Sequence, residues 1–97
     1  MKLSSGQIEQ TVRQFPARPI PDNHPAATQL EQLFGEHTFF LDPDGLHIVE
    51  VAGSAADNGR ETCKVVKLAS WHDENRTSLA PHAPEEIDVL IELDSAA

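Results

Sequence analysis

Residues 38–71 read TFFLDPDGLHIVEVAGSAADNGRETCKVVKLASW, and this stretch decides the fold. Its Val, Ile and Phe residues suit a pleated surface. Two turn signatures divide it. Asp42-Pro43-Asp44-Gly45 puts proline at the second position of a type I turn, with glycine where a left-handed residue closes a bulged hairpin. Asn58-Gly59 is a dipeptide with both residues suited to positive φ. The stretch therefore predicts two consecutive β-hairpins.

Loop length then sets the register. A three-residue loop at the first turn places Asp42 opposite Leu46, Leu41 opposite His47, Phe40 opposite Ile48 and Phe39 opposite Val49. A two-residue loop closed by Asp57 and Arg60 places Val51 opposite Val66, Glu50 opposite Lys67, Val49 opposite Leu68 and Leu46 opposite Trp71. Cross-strand partners share a face. One face then carries Phe39, Leu41, Val49, Val51, Val66 and Leu68; the other carries Phe40, Leu46, Ile48, Val65, Ala69 and Trp71. Both are apolar, so both need a cover.

The flanks supply it. Ser4 or Ser5 can cap a helix over residues 5–15, whose Ile8, Val12 and Phe15 form one stripe and which Pro16 stops. Residues 16–24 hold three prolines and read as an extended connector. Pro25 opens a second helix over 25–34 with Ala26, Leu30, Leu33 and Phe34 on its apolar face and Gly35 at its end. The helix at 25–34 is expected on the Phe39/Val49/Leu68 face. The opposite face is left to the first helix or to a second subunit. Beyond the hairpins, 72–86 reads as a polar loop with Pro81 and Pro84, and 87–93 alternates as a last strand. The expected architecture is a single small α+β domain: an antiparallel meander of three to four strands, 37–71 with 87–93, carrying one or two short helices.

Charge and composition bound the function. At 97 residues the chain can bury one modest core. Sixteen acidic residues against seven basic ones give a net charge of -9, a field that repels phosphate backbones and anionic lipid. No apolar run reaches the ~18 residues of a membrane helix. These features argue against nucleic acid and membrane as partners, and favour self-association or a basic protein. A lone Cys63 has no partner for an internal disulfide, which suits a cytoplasmic setting.

Motifs for chemistry are sparse. Five histidines, at 24, 37, 47, 72 and 82, invite a metal reading, but their spacings match no zinc pattern. His72, Asp73, Glu74 and His82 form the best polar cluster, since all fall on one loop. Asp42, Asp44 and Gly45 resemble part of a calcium loop, yet aligning Gly45 to its glycine puts Phe40 and Val51 where carboxylates belong. Cys63 has no base at a recognisable spacing. No metal, cofactor or catalytic group is therefore assigned. Trp71, the sole tryptophan in a chain without tyrosine, is the candidate binding residue, with Phe40, Ile48 and Leu46 on its expected face. The sequence thus points to a non-enzymatic acidic interaction module. The alternative is a ligand- or metal-binding domain, or an enzyme, working through 72–86.

Overall fold

The computed structural model describes residues 2–21, 23–55 and 60–94. Seven elements follow in order: α1 (Ser5–Gln14), β1 (Arg18–Pro19), α2 (Pro25–Phe34), β2 (Phe40–Asp42), β3 (Gly45–Ala55), β4 (Arg60–Trp71) and β5 (Leu79–Asp94). The strands form one antiparallel sheet in chain order, an α+β arrangement with five strands rather than three or four. The extra strand lies in the proline connector: Arg18 pairs with Leu41 and Pro19 with Phe40.

Local chemistry sets the helix ends. The Ser4 hydroxyl accepts from Gln7 N–H at 3.2 Å and the Gln7 side chain accepts from Ser4 N–H at 3.0 Å, a reciprocal cap on α1. Phe15, taken as the last residue of the first helix, is its extended C-cap. His24 Nδ1 accepts from Ala26 N–H at 3.1 Å ahead of Pro25, and α2 ends at Gly35, whose φ of 90° lies in the region open to glycine.

The first hairpin differs from expectation by one residue. Asp42 pairs with Gly45, Leu41 with Leu46 and Phe40 with His47, so the loop has two residues. The Asp42 carboxylate explains this. Its Oδ1 accepts both Asp44 N–H at 2.8 Å and Gly45 N–H at 3.0 Å, closing the turn before glycine. Gly45 then enters β3 at φ 143° so close to β4 that a Cβ there would lie 2.0 Å from the Ala69 carbonyl oxygen. The second hairpin also departs: Ala55 pairs with Arg60, Val49 with Val65 and Glu50 with Lys64, not Lys67. The Asn58-Gly59 turn itself lies outside the described residues. Register shifts at Leu46/His47 and Val51/Gly53 bring in irregularities that a count from the turn does not contain.

A one-residue slip exchanges faces, and the core shows it. Ile20, Ala27, Leu30, Phe39, Leu46, Ile48, Val66, Leu68 and Ala69 pack in one cluster beneath α2. Phe15, Phe40, Val49, Cys63, Val65, Ile91 and Leu93 pack in another, with Ile8 and Val12 of α1 against them. The chain's own helices therefore cover the core of both sheet faces, while Val51 and Leu90 stay exposed near the second hairpin. Phe40 and Val65 sit across the sheet from Leu46, Ile48 and Ala69, not beside them.

The long polar loop is mostly strand. β5 starts at Leu79 rather than 87 and pairs with β4 from Trp71↔Leu79 to Arg60↔Asp94. Prolines 81 and 84 are tolerated because β5 is an edge strand, paired on one side alone, and the ladder is irregular between Lys67 and Ala69. The loop shrinks to residues 72–78.

A candidate ligand cleft beside Trp71

Trp71 closes β4, opposite Leu79. Its indole Nε1–H donates to the Asp42 carbonyl at 2.7 Å, tying the ring to the first turn. The ring is partly buried, with α2 on one side and the 72–78 turn on the other. Asp73 shapes that turn. Its carboxylate accepts from Thr77 N–H at 2.8 Å, from Ser78 N–H at 3.4 Å and from the Thr77 hydroxyl. These bonds, the hydroxyl first, hold the Asp73 carboxyl below its ordinary pKa. His72 N–H donates to the Ser78 carbonyl at 2.9 Å and Arg76 N–H to the Asp73 carbonyl at 3.2 Å. The turn leaves Arg76 at φ 58°, the one non-glycine residue with positive φ among the described residues.

Two recesses meet at this point, sharing Leu41, Trp71 and Arg76. The first, about 410 Å³, is walled chiefly by Ile20, Leu30, Leu33, Leu41, Trp71 and Leu79. The second, about 430 Å³, adds Arg18, Asp42 and Pro43. Each falls in the size range of small-ligand sites. A further recess of about 450 Å³ near the second hairpin is lined by Lys64, Glu86 and Asp88 among others. There Lys64 and Glu86 already pair with each other.

Charge singles out the cleft. Lys2 pairs with Glu31, Arg13 lies 4.0 Å from Glu9, and Lys64 pairs with Glu86. Arg18, Lys67 and Arg76 have no carboxylate within ion-pair distance among the described residues; Lys67 lines neither recess, whereas both arginines line the one beside Trp71. Asp42, the acid in the same recess wall, is almost enclosed, and its Oδ1 is engaged by two backbone N–H groups.

Behind Asp42 lies His47, 1 % exposed, with neither ring nitrogen hydrogen-bonded. Its Nδ1 stands 3.5 Å from Asp42 Oδ1, beyond hydrogen-bond range, and its ring meets Phe15 edge-on at 5.2 Å. Burial lowers the His47 pKa. Asp42, Asp44 and the Gly45 backbone oppose that shift, while Lys67 adds to it.

The residues singled out from sequence are dispersed. Leu46, Ile48 and Trp71 share the α2 face, but Leu46 and Ile48 are buried under the helix. Phe40 is buried on the opposite face. His72 and Glu74 are exposed, His82 is half-buried, and Asp73 is committed to its own turn. His82 lies in β5, with Nδ1 at 2.8 Å from the Ala83 carbonyl. Among the described residues no three His, Cys, Asp or Glu side chains gather where they could hold a metal ion. Arg18, Leu41 and Arg76 were not anticipated. Arg18 and Arg76 stand far apart in sequence, and their meeting depends on β1 joining the sheet. Comparison with protein-family models, curated proteins and solved structures finds no match to this chain.

Proposed function

We propose that this chain is a non-enzymatic interaction module of a cytoplasmic protein, engaging its partner through the Trp71 cleft. The observation that carries the reading is apolar surface left open beside a fixed ring: Leu33 is 68 % exposed on the rim, facing a tryptophan held by its indole hydrogen bond. Phe40, Leu46 and Ile48 are buried in the two core clusters, so they have no part in docking. A preformed apolar recess with a few convergent polar groups is the usual form of a binding site. The polar groups in its wall grip rather than react: the Thr77 hydroxyl is tied to Asp73, and His47 is sealed behind Asp42.

Two-dimensional NMR with a library of small fragments tests the reading. Hits are expected to shift the Trp71 indole resonance together with the amides of Arg76, Thr77 and Ser78. Hits scattered over other surfaces, with this group of resonances unmoved, would remove it.

A further inference from the structure

Building on the Trp71 cleft as the docking surface, we infer that its occupant is a short acidic–apolar peptide segment of a partner protein, seating an aliphatic side chain against Trp71, Leu33 and Leu41 and a carboxylate between Arg18 and Arg76. The argument is charge complementarity at one place. The chain carries -9 overall, yet two arginines without carboxylate partners line the same recess. Their positions come from different causes. Arg18 is set by pairing opposite Leu41 in β1, which puts both residues on the cleft face. Arg76 is set by a left-handed backbone at φ 58°, which glycine or asparagine takes more readily. Guanidinium groups match a carboxylate through paired N–H donors.

The surrounding acidity narrows the occupant further. At physiological salt, charges beyond about 8 Å are largely screened, so a single carboxylate at the cleft feels the arginines most. A polyanion would also meet the acids close by, Asp42 in the recess wall and Glu74 in the same turn as Arg76. The recess is open, which suits a side chain presented by a peptide.

Blocked hexapeptides alternating leucine with glutamate, glutamine or lysine test this by titration, read from the fluorescence of the sole tryptophan. The leucine–glutamate peptide is expected to bind roughly three- to tenfold tighter than leucine–glutamine, as one or two half-exposed charge pairs supply. Leucine–lysine is expected to bind weakest. The preference should vanish in Arg18→Gln/Arg76→Gln and shrink with added salt. Equal binding of glutamate and glutamine peptides, or a preference for lysine, overturns the charge inference while leaving the cleft in place. So does a glutamate preference that survives the double substitution. If none of the three peptides perturbs Trp71, the peptide inference fails, and the fragment shifts at Trp71, Arg76, Thr77 and Ser78 decide the cleft separately.

Discussion

His47 concentrates the cost of the fold in one side chain. It is enclosed, unbonded at both ring nitrogens, and its pKa is lowered by burial. The unfolded chain therefore takes up a proton first as pH falls. Stability from this group is fully present above about 6.5 and is lost as pH drops toward the lowered folded value, at up to ~1.4 kcal/mol per pH unit. His37 is shifted the same way, also by burial first, so the two must be separated. Urea denaturation of His47→Leu at pH 7.5 and 5.5 does so. The variant is expected to lose a large part of the acid sensitivity while staying within about 1 kcal/mol of the parent at pH 7.5, since it removes two unbonded polar atoms. An unchanged pH profile would contradict it. Gly45 is the complementary case. Gly45→Ala sets a Cβ against the Ala69 carbonyl at a φ that L-residues avoid, and should cost about 3 kcal/mol or more in chemical denaturation. A loss under 1 kcal/mol would show that β3 and β4 can separate there.

Among the elements, the 72–78 turn links local chemistry to the cleft. Asp73 accepts three hydrogen bonds within five residues, and the turn so formed presents Arg76 next to Trp71. Asp73→Ala should lower stability, speed amide exchange at Thr77 and Ser78, and weaken peptide binding at the cleft. Normal exchange and normal binding in that variant would mean that β4 and β5 hold the turn without it. This segment also marks the limit of reading by composition. The prolines and charges of residues 79–86 look like loop, but an edge strand needs partners on one side only, and only pairing with β4 shows that the segment is extended.

Across the whole molecule, the exposed edge of the sheet is the main hazard. β5 runs sixteen residues with no strand beyond it among the described residues. Three features blunt it: the missing N–H groups of Pro81 and Pro84, the acidic Glu85, Glu86, Asp88 and Glu92, and a clamp from α1. In that clamp Gln14 Nε2 donates to the Glu92 carbonyl and Glu92 N–H donates to Gln14 Oε1, each at 2.8 Å. The side-chain amide occupies the place of a neighbouring strand. The chain is expected to be monomeric by size-exclusion chromatography with light scattering at sub-millimolar concentration. In Gln14→Ala the Glu92 amide should exchange faster. A stable dimer of the parent chain would show that this edge, or the cleft, pairs with itself.

By itself the sequence determined the kind of structure: the β-rich run from Phe39 to Val51, the Asp-Pro-Asp-Gly turn, the cap at Ser4 and the Pro25 and Gly35 punctuation specify antiparallel strands with two short helices. These are short-range signals, because turn geometry and capping act over two to four residues. Tertiary structure decided which side chains face which way. The register turned on whether the Asp42 carboxylate closed the loop before or after Gly45, and on how closely Gly45 could approach Ala69. The same register buried His47, put Phe40 across the sheet from Ile48, and let Arg18 and Arg76 converge on Trp71. Those outcomes depend on contacts between distant segments, and neither periodicity nor local turn preference encodes them.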